Sequence, residues 1–476
     1  MQDISFAPLA AELFVLGMTC LVMLVDLFAP GPQRRNSFWL SQIALFGALL
    51  ITINLAPAPS ALLYGGHFML DSLGTVLKVG LYIVTAISLL YARAYIAERQ
   101  FMRGEYYLLS LFAMLGAMVL ITAHSLLTIY LGLELMSLSL YAMVAMQRDS
   151  KQAPEAAMKY FVMGALASGF LLFGMSLLYG VTGHIGISEL ASAPTEQGQL
   201  VMYRFALVFI IAGIAFKLGA VPFHMWIPDI YHGAPTSVTA FLGSAPKIAA
   251  FAMIMRLLTE ALPSLHEDWM AMLAALAIAS MAIGNIGAIA QSNLKRLLAY
   301  SAIAHMGYFL IGISSGTSEG YAASMFYILV YALMTLGGFG MILFLSRAGF
   351  ESDNLSDLKG LWQRSPWYAL LMMLVMMSMA GIPPFIGFWP KLQVFMAAVH
   401  AGQTWLALTG AVFSLIGCYY YLKVVKVMFF DQADDKSPIT ASTALRVAIS
   451  ANGLAMLVLG LFPGTILAYC LKAFAG

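Results

Sequence analysis

Charge is what this sequence has least of. Of its 476 residues, 24 are lysine or arginine and 22 are aspartate or glutamate. Soluble domains carry roughly a quarter of their residues charged, so a water-facing all-α domain of this length is excluded. Cysteine is scarce as well. Cys20, Cys418 and Cys470 are scattered through apolar segments, form no metal or redox spacing, and read as small core residues. No nucleotide loop, haem motif or flavin fingerprint is present. The chain is therefore expected to carry no redox cofactor and no metal. No basic run is long enough to point to nucleic acid, and a net charge of +2 points to no partner. Residues 1–10 hold no Lys or Arg ahead of the first apolar run, so no cleaved signal is read there and the N-terminus is expected on the exported side.

What the sequence has in abundance is apolar run. Fourteen segments are long enough to cross roughly 30 Å of hydrocarbon: 6–29, 38–57, 70–92, 105–122, 125–146, 155–180, 201–224, 236–258, 269–290, 296–314, 319–346, 367–398, 403–428 and 444–471. They are continuous rather than alternating, which excludes a β-barrel. The fold class is an all-α polytopic membrane protein embedded in the lipid bilayer. No linker divides it, so 1–476 reads as one integral unit.

Basic residues test the count. The loops after odd spans hold Arg34, Arg35, Arg93, Arg99, Arg103, Arg148, Lys151, Lys159, Lys295, Arg296, Arg347, Lys359, Arg364, Lys423, Lys426, Lys436 and Arg446. The other face has Arg204, Arg256 and Lys472, and acids at Glu189, Glu196, Glu260, Glu267 and Asp268. Positive charge stays on the cytoplasmic side. Fourteen crossings with both termini outside satisfy that rule, and one span more or fewer would scramble it.

Four lysines remain inside the spans: Lys78, Lys217, Lys247 and Lys391. An ionisable residue in hydrocarbon is costly and points to function. Lys217 lies in span 7 just ahead of Pro222, which removes a backbone donor and breaks the helix. Lys391 lies in span 12 just beyond Gly381-Ile382-Pro383-Pro384, a second break. The two are five spans apart, an odd shift that inverts topology, so spans 4–8 and 9–13 are candidates for an inverted repeat. Broken helices at matching positions point to ion sites in transporters.

Glu134, mid-span in LGLELMSLSLYAM, is the natural counter-charge for Lys217. Together they would form a switchable proton carrier; a static ion pair is the competing reading. Lys247, after Pro246 in span 8, would carry protons onward, and Lys391 would release them. Snorkelling to an interface is the alternative for both. His305 in span 10 would bridge Lys247 and Lys391 through water, helped by Tyr300 and Ser301; packing is the alternative. His224 belongs either to an inlet path or to the cap of the broken helix. Lys78 is expected to snorkel outward. Glu12 and Asp26 read as interfacial, and Glu155 and Lys159 as a local i, i+4 pair. The many Met and Phe residues read as packing and lipid-facing.

Four stretches carry a resemblance. They are FKLGAVPFHMWIPDIYHGAPTSVTAFLGSAPKIAAF (216–251), NLKRLLAYSAIAHMGY (293–308), LGLELMSLSLY (131–141) and AGIPPFIGFWPKL (380–392). The chain resembles the antiporter-like membrane subunits of respiratory complex I and of multisubunit cation/proton antiporters over nearly its whole length. Three features narrow the resemblance to one kind of subunit: the chain stops after span 14, span 12 carries lysine rather than glutamate, and the acidic motif reads LGLELMSL.

The resemblance implies two inverted five-helix half-channels, 105–258 and 269–430, flanked by N-terminal helices (1–104) and a C-terminal helix (444–476). It implies that Glu134 and Lys217 are the essential pair, Lys247 the central carrier, Lys391 the exit carrier and His305 the axial histidine. It also implies proton translocation in a bacterial inner membrane, alongside other membrane subunits of NADH:quinone oxidoreductase, with flavin and iron–sulfur clusters in partner subunits. Pro390 departs from the pattern, standing where a small residue is expected. A cation/proton antiporter subunit and a structural scaffold are the alternative functions. Lone Glu134 at mid-depth argues against sodium binding, and three buried lysines argue against a scaffold.

Overall fold

The computed structural model describes residues 6–29, 31, 34–56, 60–99, 103–191, 197–347, 349–433, 439 and 441–475. Glu196 and Lys436, counted above, lie outside these residues. The apolar runs form the expected helices: α1 (Ala10–Phe28), α2 (Arg35–Asn54), α3 (Ser72–Glu98), α4 (Gly104–Thr122), α5 (Leu126–Val144) and α6 (Gln152–Thr182). Then α7 (Gln197–Leu218), α8 (Trp226–Gly233), α9 (Thr236–Leu242) and α10 (Ala245–Ile254) replace spans 7 and 8. After them come α11 (His266–Ile289), α12 (Leu294–Ser314), α13 (Ser318–Leu345), α14 (Pro366–Ala380), α15 (Phe388–His400), α16 (Thr404–Phe430), α17 (Thr443–Leu461) and α18 (Gly464–Ala473).

Thirteen helical stretches among the described residues are long and apolar enough to cross a membrane. The fourteenth predicted span is the broken pair α14 and α15. Helix starts follow from short polar residues whose side-chain oxygens take free backbone N–H groups. Asn293 accepts from Arg296 N at 3.1 Å and Thr317 from Gly320 N at 3.1 Å, while Ser125 and Thr128 form a reciprocal cap on α5.

Two compact units interleave along the chain. The first comprises Met1–Ala86, Met102–Leu218 and Ala245–Ala271; the second Ile87–Phe101, Gly219–Ser244 and Met272–Gly476. Each unit checks the alternation of crossings by itself. In the first, the loops after spans 2, 4, 6 and 8 meet at one end. A hairpin of β1 (Ala61–Leu63) and β2 (Phe68–Leu70), which the sequence reading did not foresee, follows span 2. His124 N donates to His67 O at 2.9 Å, Ile187 N to His124 O at 3.1 Å, and Arg256 to Asp71 at 2.6 Å. In the second unit, the loops after spans 3, 7, 9 and 11 meet. Arg99 pairs with Glu351 at 2.6 Å, Lys295 donates to Ala234 O at 2.7 Å, and Asn293 bridges Asn354. Even loops gather with even and odd with odd, as the predicted crossings require.

Four single-residue expectations need correction. Lys78 does not snorkel and Glu12 is not interfacial: both are buried and joined as an ion pair between α3 and α1. A carboxylate on the neighbouring helix, bonded directly to the ammonium, removes the reason to reach for water. Arg256, counted as a loop charge, is fully buried between Asp71 and Glu260. Cys20 faces outward on the apolar side of α1 rather than into a core, whereas Cys470 is buried. Other local readings hold: Asp26 pairs with Arg34 at 3.1 Å while partly exposed, and Glu155 with Lys159 at 2.9 Å.

Candidate functional site: lysines at two broken helices

In the first unit the site forms where α7 ends. The helix stops at Leu218, six residues earlier than predicted, because Gly219 takes φ +73° and Pro222 lacks a backbone N–H to continue the ladder. A helix that ends inside an apolar interior leaves its last carbonyls without partners. Lys247, one turn into α10, supplies them. Its Nζ donates to Leu218 O at 2.7 Å and to Lys217 O at 3.1 Å. The same residue, Lys217, is therefore touched by Lys247 through its backbone, leaving its own ammonium for another partner.

That partner is Ser137, whose Oγ accepts from Lys217 Nζ at 2.7 Å; the Ser137 hydroxyl in turn donates to Leu133 O. Ser137 lies three residues beyond Glu134 on α5, on an adjacent turn of the same helix. Glu134 forms no ion pair with Lys217 among the described residues, and its Oε1 is buried without a hydrogen bond. The proposed counter-charge and the lysine thus occupy one neighbourhood while the lysine rests on a neutral hydroxyl. Both lysines are buried, which removes snorkelling as a reading for Lys247.

In the second unit α14 ends at Gly381, φ +82°, and Pro383-Pro384 is a cis peptide. Lys391, one turn into α15, folds back over the break. Its Nζ donates to Ala380 O at 2.9 Å, Met379 O at 3.3 Å and Ser414 Oγ at 3.0 Å, and stands 4.8 Å from the centre of the Tyr308 ring. Gly381 is required twice. Its backbone is left-handed, and a Cβ there would lie 2.8 Å from Lys391 Cδ. Lys391 is buried, so it does not snorkel either.

His305 is buried on α12 between two tyrosines, with Nδ1 2.7 Å from Tyr327 OH and Nε2 3.0 Å from Tyr421 OH. Ser301 bonds the same Tyr421 hydroxyl. Tyr300 is placed differently: its ring packs over Gly287 of α11. Asn285 donates to Tyr308 OH at 3.0 Å and accepts from Tyr420 OH at 3.2 Å, extending the polar track beside Lys391. His224 lies buried in the α7–α8 break. Its carbonyl, not its ring, takes the Ile227 N–H at 2.9 Å, and its Nδ1 has no partner.

Sequence reasoning located the lysines and missed what holds them. Ser137, Ser414, Tyr327, Tyr421 and Asn285 are ordinary helix residues in the sequence. Of these, Ser137 alone had a local signal, its place one turn from Glu134. No group of three or more His, Cys, Asp or Glu side chains suited to a metal occurs among the described residues.

The chain has close relatives. Residues 123–417 match the model described as NADH:quinone oxidoreductase/Mrp antiporter, transmembrane. NADH-quinone oxidoreductase subunit N of Thioalkalivibrio sulfidiphilus (strain HL-EbGR7) is 53% identical over 473 residues, covering 99% of this chain and 98% of that protein. The chain belongs to the NADH:quinone oxidoreductase/Mrp antiporter transmembrane family. Among solved structures of the family, a chain of respiratory complex I from Thermus thermophilus with bound aureothin is 32% identical, with a TM-score of 0.82 and coverage of 96% of this chain and 98% of that one. A chain of the Mrp complex from Dietzia sp. DQ12-45-1b is 24% identical at a TM-score of 0.87, over 99% of this chain and 97% of that one, and shares the fold.

Pro390 departs from the family pattern without cost. It is the third residue of α15, in the first turn, where helix N–H groups have no intrahelical acceptor and proline is tolerated. Lys391 keeps its place over the break.

Proposed function

We propose that this chain is the subunit N-type membrane component of a bacterial NADH:quinone oxidoreductase, and that it moves protons across the inner membrane on redox energy supplied by partner subunits. One observation carries this reading: each unit contains a helix end inside the apolar interior whose freed carbonyls are held by a buried lysine ammonium. A scaffold gains nothing from two helices interrupted in hydrocarbon and re-satisfied by charge.

The chain's residues divide the work as follows. Glu134 swings toward Lys217 to hold its proton as an ion pair, and away to release it. Ser137 is the neutral seat on which Lys217 rests when Glu134 is withdrawn. Lys217 passes its proton to Lys247, and Lys391 delivers it to the exported side. His305, with Tyr421 and Tyr327, serves the second half as a hydroxyl and imidazole relay. His224 lines the inlet opened by the break after Leu218. Residues 105–258 and 269–430 act as the two half-channels. Both termini lie on the exported face, flavin and iron–sulfur clusters stay in partner subunits, and the neighbours in the membrane are other subunits of the same complex.

Replacement of Lys217 by alanine in the assembled complex tests this. NADH-driven proton uptake into inverted membrane vesicles should fall while the complex still assembles. Full uptake in a correctly assembled variant would sink the reading.

A further inference from the structure

The N-terminal helices hold a charge pair that the lysine path does not use. Glu12, on the first turn of α1, and Lys78, two turns into α3, are both buried and bonded to each other. Thr122 Oγ1 lies 3.4 Å from Glu12 Oε1, while Glu12 Oε2 is buried with no partner. An isolated pair of this kind is a weak source of stability, because desolvating both charges offsets their attraction. A carboxylate with an unmet oxygen is poorer still.

Lys78 also lines a small cavity of about 10 Å³, shared with Asp71, Thr52, Thr75 and Thr122. That is the scale of a single water with several polar neighbours. The cavity lies where α2 and α4 end and α3 begins, at the end of the first unit where the loops after spans 2, 4, 6 and 8 gather. Beyond it the charges continue. Asp71 takes the Gly74 N–H at 2.7 Å and the Arg256 guanidinium at 2.6 Å, and Arg256 also holds Glu260 at 2.6 Å. Glu260 stands 3.5 Å from His124, whose Nε2 reaches Ser188 at 2.9 Å. Burial lowers the His124 pKa below its ordinary value, with Glu260 opposing. Tyr82, hydrogen-bonded to Thr52 at 3.0 Å, completes the ionisable groups near Glu12.

We propose that Glu12 and Lys78 form a second proton-exchange site of this chain, opening through the Asp71-lined cavity to the face formed by the even-numbered loops. Lys78 gives one proton from its ammonium to water in the cavity, leaving a neutral amine beside ionised Glu12. The water becomes hydronium and passes the proton on toward the even-numbered loops, and the reverse step refills Lys78. Lysine suits this role because its amine can be neutral inside a protein; arginine cannot release its proton there.

Lys78→Arg separates exchange from structure, since it keeps the cation and the pair. In the assembled complex the site predicts a loss of part of the proton uptake per NADH oxidised, at a native rate of NADH oxidation in the uncoupled state. A native ratio in Lys78→Arg overturns the proposal. Should that variant fail to assemble, the neutral double variant Glu12→Gln with Lys78→Met decides: a static pair predicts the native ratio, an exchange site a lowered one. The proposal rests on the proton-transport reading, so Lys217→Ala is measured alongside. Full uptake in Lys217→Ala removes that reading; reduced uptake there with a native ratio in Lys78→Arg removes this proposal alone.

Discussion

The two broken helices solve one problem with different numbers of lysines. Where α7 ends, Lys247 holds the freed carbonyls and Lys217 holds a serine. Where α14 ends, Lys391 does both. The first arrangement frees one ammonium to change partners, and a carboxylate with an unmet oxygen waits one turn away at Glu134. The second ties its only ammonium to the carbonyls and sets it against an aromatic ring instead of a carboxylate. We therefore propose switching for the first site and passage for the second. A lysine that caps a helix end cannot leave without exposing that end.

The largest effect should come from removing the lysine with two duties. Lys391→Met strips the Ala380 and Met379 carbonyls of their donor and orphans Ser414. Each buried polar group left unsatisfied costs about 1–3 kcal/mol. NADH-driven proton uptake should be lost, and thermal unfolding of the purified complex should begin earlier than in Lys247→Met, which removes the cap on the Leu218 and Lys217 carbonyls. Equal unfolding for the two would break the distinction. Lys247→Arg sharpens it: the guanidinium keeps donors for Leu218 O and Lys217 O, so thermal stability should return, but uptake should not, because arginine holds its proton.

The second effect isolates the switch. Glu134→Gln breaks no ion pair among the described residues, so assembly and thermal stability should stay within about 1 kcal/mol of native, the range of changes that remove no satisfied contact. Uptake per NADH should nevertheless fall, because an amide cannot draw Lys217 from Ser137. Unimpaired uptake would reduce Glu134 to a bystander and make both breaks static.

How much of this was legible in the sequence divides along physical lines. Apolar run length and basic-loop parity were enough for fourteen crossings, because hydrocarbon thickness and charge bias act residue by residue. Pro222, Gly381 and Pro383 located both breaks, because proline and left-handed glycine act on their own backbone. The motifs of spans 5, 7, 8 and 12 brought Glu134, Lys217, Lys247 and Lys391 to notice. What stayed hidden were pairings between distant residues. From the sequence Lys78 reads as snorkelling, because nothing within α3 shows that Glu12 stands opposite it. Ser137, Ser414 and Tyr421 carry no periodicity or charge to mark them, and a serine within a membrane helix more often bonds its own backbone, as Ser139 does to Leu135 O at 2.8 Å.

The smallest effect is the sharpest test of the comparison. Ser137→Ala and Ser414→Ala each delete one hydroxyl that accepts from a lysine, at 2.7 and 3.0 Å. By bond count each loses about 1 kcal/mol. Their consequences should nevertheless differ. Lys391 keeps both carbonyls of α14 after Ser414→Ala, so uptake should stay near native. Among the described residues Ser137 is the side-chain acceptor of Lys217, so after Ser137→Ala the ammonium should settle into the ion pair with Glu134 and hold its proton there. Proton uptake per NADH should then drop in Ser137→Ala alone. Adding Glu134→Gln to Ser137→Ala should not lower it further, since the two changes disable one switch from opposite sides. Additive losses in that double variant would mean that Ser137 and Glu134 act on different steps, and the two-seat account of Lys217 would not survive.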